Sequence, residues 1–248
     1  MAFMPPKQRI IKFLDADDFF LWEYYGKGLL GRLQSWIFRS RIKILLKFFL
    51  REQIKIKKVL DVGCGPMFIS YSLFHLLHVD EYIGVDILPV KNLKKYRDAM
   101  RAILNKNIEA VRASADMLPF KEESFDLTLI LDVLEHLEKP KETIEEIKRI
   151  TRVNGLIAVS LPLENLMQKL LRVGFILMQI TGDPIMRKIG HIPISRTPEY
   201  HYASYIKSYN EMLALLKEKF KDVKTVKYTP IGFCRAININ AVHTLRKS

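Results

Sequence analysis

Glycines and carboxylates follow two short apolar runs in the first half of the chain. The first run, Val59–Val62, carries Asp61 and ends at Gly63 and Gly65. Glycine has no Cβ, so these two positions let the backbone pass close to a ligand. The next apolar run ends in Asp86, 23 residues after Gly63, near the ~20-residue offset at which an acid reaches a ribose diol. The pattern predicts a nucleotide-type ligand; a buried strand–helix turn with no ligand is the alternative interpretation.

A sheet and its connecting helices must position these residues. Between residues 54 and 161, short apolar runs alternate with helical segments, which predicts a mainly parallel, doubly wound α/β sheet. Pro140 marks a helix start, and Asn154-Gly155 marks a turn into a strand. The predicted strands are Val59–Val62, Tyr82–Asp86, Ile108–Ala113, Phe125–Leu131, Leu156–Leu161, Val223–Tyr228 and Ala236–Thr244, and the predicted helices include Met67–Leu77, Lys141–Ile150 and Tyr209–Phe220.

Four segments in this order resemble the class I S-adenosylmethionine (SAM) methyltransferases and, within them, the type 11 group. The segments are Val59-Leu60-Asp61-Val62-Gly63-Cys64-Gly65, Gly84-Val85-Asp86, Ala115-Asp116-Met117-Leu118-Pro119-Phe120, and Phe125-Asp126-Leu127 through Val133-Leu134-Glu135-His136. The resemblance runs from about Val59 to Pro162. Met67 stands where the family usually has a third glycine, which predicts a reshaped loop near the methionine end of the cofactor.

The resemblance implies that SAM is the cofactor and gives roles to individual residues. Asp61 would order the glycine loop or meet the methionine portion, and Asp86 would accept hydrogen bonds from both ribose hydroxyls. Asp116 would take the adenine amino group and the Met117 backbone a ring nitrogen; the alternatives are a loop-capping or helix-capping carboxylate and a core methionine. The implied cofactor-binding residues are Asp61, Gly63, Cys64, Gly65, Asp86, Ile87, Asp116, Met117 and Asp132.

By the same resemblance, the fold is a Rossmann-like, doubly wound, seven-stranded sheet whose final strand is reversed. We expect residues 54–248 to form this SAM methyltransferase domain, preceded by a helical N-terminal cap over residues 1–53. Residues 163–203 interrupt the usual order of elements after the fifth strand. An insertion there lies above the carboxyl ends of the strands, where open α/β sheets bind ligands. It is therefore predicted to be a substrate lid, with a packing insert as the alternative.

Histidines are the candidate catalytic bases, because an unperturbed imidazole titrates near neutral pH. His136 follows the fourth strand, where the resemblance places the methyl acceptor; a structural turn residue is the alternative. His201 and His191 lie in the predicted lid and are further candidates, against surface or capping histidines. Asp132, Glu135 and His136 would also suit a divalent metal, but the favoured prediction is that the site holds no metal.

The charge of the chain narrows its partners. Forty basic residues against 27 acidic ones give a net charge of +13, which favours nucleic acid, membrane phosphates or an acidic substrate; a generally lysine-rich composition is the alternative. The Asn/Asp-Pro-Pro-aromatic motif of exocyclic-amine methylation is missing after the fourth strand, and no basic stripe is interleaved with aromatics. Nucleic acid is therefore disfavoured without being excluded.

Cysteine usage and hydropathy indicate the compartment. Cys64 and Cys234 lie far apart and give neither a disulfide framework nor a metal spacing, so Cys64 is predicted to be a small residue filling the turn. No window of 18 uncharged apolar residues exists, which argues against a membrane span. We expect a cytoplasmic protein, with peripheral membrane contact as an open possibility.

Residues 29–50 predict an amphipathic helix. One interpretation is a cap that packs its apolar face over the cofactor site; the other is peripheral contact with an anionic membrane surface. The predicted apolar face holds Leu30, Leu33, Ile37, Ile44 and Phe48, and the opposite side holds Arg32, Arg39, Lys43 and Lys47.

These expectations combine into a SAM-dependent methyltransferase that acts on a small or lipid-like, apolar or amphipathic acceptor, with O-methylation slightly favoured. The apolar N-terminal helices and the insertion favour such an acceptor, because they would line an apolar pocket. The alternatives are an RNA or protein methyltransferase, favoured by the charge, and a SAM-binding protein without catalysis.

Overall fold

Strands and helices alternate along the chain, as the apolar runs predict. A computed structural model describes residues 42–50, 55–162, 209–220, 223–228 and 240–246. In chain order the elements are α1 (42–50), β1 (Lys58–Val62), α2 (Ile69–Leu77), β2 (Glu81–Asp86), α3 (Val90–Leu104), β3 (Asn107–Arg112), β4 (Phe125–Leu131), a 3₁₀ turn (Leu134–His136), α4 (Pro140–Ile150), β5 (Thr151–Pro162), α5 (Tyr209–Lys219), β6 (Val223–Tyr228) and β7 (Asn240–Arg246).

The sheet has the strand order β3-β2-β1-β4-β5-β7-β6. Strands β1 to β5 pair in parallel, whereas β7 is antiparallel to both β5 and β6. The order reverses on the two sides of β1, which lies between β2 and β4. In an open α/β sheet the crevice at such a reversal, outside the carboxyl ends of the strands, is the usual ligand site. The arrangement is a Rossmann-like α/β fold, as predicted.

Both faces of the sheet are covered by helices. Neighbouring residues of β1 belong to different cores: Val59 packs with α1, α2 and α3 on one face, and Leu60 packs with α4 and α5 on the other. Both side chains are fully buried. A parallel strand that is buried on both faces reads as a continuous apolar run, which explains why the sequence alone located β1.

Helix α1 is part of the core. Its predicted apolar face is wrong for residues 42–50, because Ile44 and Phe48 are only partly buried at the edge of the core. A second apolar stripe with i, i+3, i+4, i+7 spacing runs along the same helix. This second stripe is the one that packs into the core. Each of its side chains is at most 1% exposed, and burying such a side chain contributes ~1.5–3 kcal/mol. The buried stripe is Ile42, Leu45, Leu46 and Phe49.

The fifth strand begins earlier than predicted, at Thr151 instead of Leu156. Its pairing with β4 is irregular at this point. Asn154 has a φ of 62°, and a Cβ on Gly155 would lie 2.8 Å from the Arg152 carbonyl oxygen. The Asn-Gly pair therefore marks an irregularity inside the strand, where the local chain bends, and not a turn before it.

Other boundaries differ from the predictions by a residue or two. Helix α2 begins at Ile69 because Met67, the predicted start, has a φ of 63°. Helix α4 includes Pro140, since the first helical position needs no N–H donor. Strand β7 continues to Arg246, where it pairs with Leu156.

Several sequence predictions lie outside the described residues. They are the lid 163–203 with His191 and His201, the cap 1–53 apart from residues 42–50, Cys234, and the start of the last strand at Ala236. In the part of the chain that the structure describes, no helix combines the length and the apolar character that a membrane crossing requires.

Candidate active site

The turn after β1 requires both of its glycines. Gly63 has a φ of 74° and Gly65 a φ of 46°, a left-handed conformation that costs other residues ~1–2 kcal/mol. The Gly63 N–H donates to the Val85 carbonyl oxygen at 2.7 Å, which ties the turn to the end of β2. A Cβ on Gly63 would overlap the Val133 side chain, whereas a Cβ on Gly65 would meet nothing within 4 Å. The turn therefore packs closely against Val133, in the segment after β4, at Gly63, whereas there is space for a side chain at Gly65.

The Asp86 carboxylate bridges two loops. Its Oδ2 accepts the Gly65 N–H at 2.9 Å, and its Oδ1 accepts the Leu88 N–H at 3.0 Å. The next residue, Ile87, is 45% exposed, and its carbonyl oxygen accepts a hydrogen bond from Arg112 Nε at 3.2 Å. The structure therefore places the predicted ribose acid beside the glycine loop and orients it with two backbone donors.

Asp61 lies beneath the loop. It is 4% exposed and accepts a hydrogen bond from the Tyr82 hydroxyl, a partner that sequence reasoning missed although Tyr82 begins the predicted second strand. Burial, reinforced by the Asp61 charge, raises the pKa of Tyr82 well above its ordinary value. This hydrogen bond ties the Asp61 carboxylate of β1 to the neighbouring strand β2.

Cys64 is a buried thiol in the turn. Burial first, and then the charges of Asp61 and Asp86, raise the pKa of the Cys64 thiol well above its ordinary value. A neutral thiol is a poor nucleophile, so these surroundings suit the predicted role as a small residue that fills the turn.

Met67 replaces a family glycine and keeps a left-handed backbone, with a φ of 63°. Its side chain is fully buried. Gly84 in β2 leaves space for the Cys64 and Met67 side chains, because a Cβ at position 84 would lie 2.6 Å from Cys64 Sγ and 3.2 Å from Met67 Cε. The Met67 carbonyl oxygen accepts the Ser70 hydroxyl at 2.7 Å, so the methionine joins the loop to α2.

Asp116 and Met117 lie in the loop after β3. Asp116 accepts a hydrogen bond from the Ser114 hydroxyl, and Lys139 Nζ lies 3.6 Å from its Oδ2. The Ser114 hydrogen bond, aided by the Lys139 charge, lowers the pKa of Asp116. Met117 is 75% exposed, so the core-methionine interpretation is wrong; its N–H donates to the Ser114 carbonyl oxygen at 3.2 Å.

Two residues of α4 hold this loop, and sequence reasoning missed both. Arg149 donates to the carbonyl oxygens of Phe120 and Leu118 at 2.8 and 3.1 Å. Glu146 accepts the Leu118 N–H at 2.9 Å and is itself paired with Arg149 at 2.8 Å. The available signal was an acid and an arginine three residues apart on the polar side of a predicted helix, a pattern that is usually a solvated pair.

The segment after β4 presents Asp132 and His136. Asp132 has a φ of 56°; its N–H donates to the Ser160 carbonyl oxygen at 3.1 Å, and its carboxylate accepts the Ser160 hydroxyl. His136 ends the 3₁₀ turn with an exposed side chain, and its N–H donates to the Val133 carbonyl oxygen at 2.9 Å. Among the side chains that the structure describes, no three potential ligands are grouped to hold a metal ion; the Glu135 side chain lies outside this set.

The site as a whole is a row of carboxylates along the carboxyl edge of the sheet. Asp86 ends β2, and Asp116 and Asp132 follow β3 and β4; the glycine turn after β1 lies beside Asp86. Carboxylates accept hydrogen bonds from hydroxyl and amino groups, so the row suits a ligand with a ribose and an amino-bearing base. The predicted base His201 lies outside the described residues.

Comparison with known proteins identifies a methyltransferase domain in the chain. Residues 60–159 match the family model described as a methyltransferase domain. The mitochondrial ubiquinone biosynthesis O-methyltransferase of Schizosaccharomyces pombe is 23% identical over 216 residues, which is 85% of this chain and 72% of that protein. An uncharacterized protein of Methanocaldococcus jannaschii is 31% identical over 143 residues, 57% of each chain.

The solved structures agree on the fold. The crystal structure of magnesium protoporphyrin IX methyltransferase from Synechocystis PCC 6803, with bound S-adenosylhomocysteine (SAH), aligns with a TM-score of 0.62 at 16% identity over 98% of this chain and 100% of that one. The fold, the glycine turn and the matched domain define a class I SAM-dependent methyltransferase. Residues 60–159 are a methyltransferase domain of the type 11 group, and the cofactor of this enzyme is SAM.

Proposed function

We propose that the chain transfers the methyl group of SAM to a small or lipid-like, apolar or amphipathic acceptor, with oxygen as the favoured methylated atom. The observation that carries this proposal is the likeness to the ubiquinone biosynthesis O-methyltransferase, which extends over 85% of the chain. That share is larger than the matched domain of residues 60–159, so the likeness includes segments outside the cofactor half.

The cofactor would lie along the carboxyl edge of the sheet. Bound SAM supplies an electrophilic methyl on a sulfonium, so the protein has to bind, orient and exclude water. Each Asp86 oxygen accepts one backbone N–H and keeps a second lone pair for a ribose hydroxyl. Asp116 would accept the adenine amino group, while Ile87 and Met117, both exposed, would contact the base.

The acceptor would lie beside the segment after β4. Asp132, held by Ser160, would line the methionine end of the cofactor site together with Gly63 and Cys64. The exposed imidazole of His136 would take the proton of an acceptor hydroxyl as the oxygen attacks the methyl carbon. His201 is the second candidate for this role.

The remaining walls would come from segments outside the matched domain of residues 60–159. Residues 163–203 would form the lid and residues 1–53 a helical cap, in a cytoplasmic enzyme. Membrane contact through residues 29–50 would have to use residues 29–41 and exposed groups such as Lys47, because the main apolar stripe of residues 42–50 is packed in the core.

Labelled-methyl transfer tests the proposed acceptor. The full chain is incubated with methyl-labelled SAM and extract of its source cells, and the products are split into organic-soluble, small-molecule, RNA and protein fractions. We expect label in the organic-soluble or small-molecule fraction, and much less of it when Asp86→Asn replaces the wild type. Label in RNA or protein would overturn the proposal and make the +13 charge the better guide, while SAM binding without transfer would indicate a protein that only binds SAM.

A further inference from the structure

The loop that carries Asp116 and Met117 is held from both sides. Ala115 and Leu118, which flank these two residues, are 8% and 4% exposed and belong to the core under α4. Between the two buried anchors, the backbone projects Asp116 and the 75% exposed Met117 outward. The conformation of a four-residue stretch therefore decides where the proposed adenine partners lie.

Hydrogen bonds from α4 fix the carboxyl-terminal anchor. The Arg149 guanidinium reaches two carbonyl oxygens, those of Leu118 and Phe120, and Glu146 accepts the Leu118 N–H. Leu118 is thus bonded through both its N–H and its carbonyl group. A planar guanidinium that spans two acceptors sets direction as well as distance, which a single flexible lysine does not.

The two side chains also hold each other. Arg149 Nε and one terminal nitrogen each lie 2.8 Å from a Glu146 oxygen. The Arg149 hydrogen bond lowers the pKa of Glu146, so the pair is ionised at neutral pH. The opposite side of α4 is buried through Ile144, Ile147 and Ile150, which makes the helix a rigid platform for the pair.

We propose that Glu146 and Arg149 are positioning residues for the cofactor base: through Leu118 they fix the Asp116 carboxylate at the position where it meets the adenine amino group. This inference rests on the proposed function, in which Asp116 accepts a hydrogen bond from the adenine amino group. Neither Glu146 nor Arg149 touches the cofactor in this assignment. Their substitution should therefore change selectivity for the base more than it changes the fold.

Selectivity for the amino group separates positioning from simple stabilisation. SAH and its 6-oxo analogue, in which a carbonyl replaces the amino group of the base, are titrated into the full chain by calorimetry. The wild type should bind SAH at least ~tenfold more tightly than the analogue, because the analogue places a carbonyl oxygen against the Asp116 carboxylate, where no hydrogen bond can form. Asp116→Asn should remove most of this preference, and Arg149→Gln should lower it several-fold.

Arg152 provides a matched control. It also bonds a loop carbonyl, that of Glu123 at 3.1 Å, and a carboxylate, Asp126 at 2.5 Å, and both of these partners lie outside residues 114–120. Arg152→Gln should lower the melting temperature while leaving the SAH preference unchanged. Glu146→Gln keeps an oxygen acceptor for the Leu118 N–H but weakens the interaction with Arg149, so it should lower the preference for SAH partially. This variant also tests the inference if Arg149→Gln does not fold.

The outcomes are distinct. Preference lost with Asp116→Asn, and reduced with Arg149→Gln or Glu146→Gln but not with Arg152→Gln, supports the inference. An unchanged preference in both α4 variants overturns it and leaves the proposed adenine site intact. An unchanged preference with Asp116→Asn, or no binding of SAH by the wild type, overturns the adenine assignment and the inference together.

Discussion

The backbone N–H of Gly65 donates a hydrogen bond to Oδ2 of Asp86 over 2.9 Å. The glycine turn after β1 and the acid that ends β2 are therefore joined into one unit. A carboxylate oriented by two backbone donors loses little freedom on meeting a ribose, which is the general benefit of a pre-organised site. Substitutions in either partner are expected to disturb the other.

The two glycines of the turn should respond differently to alanine. Gly63→Ala places a residue with a Cβ in a left-handed backbone conformation and makes that Cβ overlap the Val133 side chain. We therefore expect the free energy of unfolding to fall by ~2–4 kcal/mol. Gly65→Ala adds the penalty without the overlap, so ~1–2 kcal/mol is expected. Chemical denaturation of the unliganded protein measures both; equal losses would show that Val133 yields to the added methyl group.

Met67 is expected to be the better residue here even though relatives usually have glycine. Met67→Ala removes a fully buried side chain and should cost ~2–5 kcal/mol. Met67→Gly loses the same packing but relieves the left-handed backbone, so its loss should be smaller by ~1 kcal/mol. Denaturation curves of the two variants test this order, and a Met67→Gly protein more stable than the wild type would refute the packing role.

The limits of the sequence reading follow from which interactions are local. Strand β4 was located correctly at Phe125–Leu131, because both of its faces are buried and most of its residues are apolar. The buried stripe of α1 was misplaced, since two stripes were nearly equally apolar and only the sheet decides between them. Leu118 lies 28 residues before Glu146 and 31 before Arg149, and no short motif encodes such a contact.

Acid should weaken the protein through Glu146. Its pKa is lowered in the fold from the ordinary 4.5, chiefly by the hydrogen bond from Arg149. The ionised form therefore stabilises the fold above pH 4.5, and this contribution is lost as the pH falls through the lowered pKa. Glu146→Gln should flatten the acid side of the stability profile, and Arg149→Gln should do the same; a profile as steep as the wild type would rule out the pairing.

His136 should matter for turnover and not for cofactor affinity. If its imidazole takes the acceptor proton, His136→Ala should lower kcat by ~10²–10⁴ with the identified acceptor, with SAH affinity unchanged. His75→Ala is the control, because His75 is an exposed histidine of α2 whose ring contacts Tyr71, away from the segment after β4. A His136→Ala enzyme with normal kcat would pass the role to His201 or to a base in the lid.

The location of the cofactor is tested most directly by titrating SAH into the wild type, Asp86→Asn and Asp80→Asn. The Asp86→Asn substitution would turn an amide N–H₂ against one of the two backbone donors, so we expect binding to weaken ~ten- to a hundredfold or more. Asp80 precedes β2 and pairs with Lys57 at 2.9 Å, so its variant should bind SAH like the wild type. Equal affinities for all three proteins would contradict a cofactor site at the Gly65–Asp86 junction.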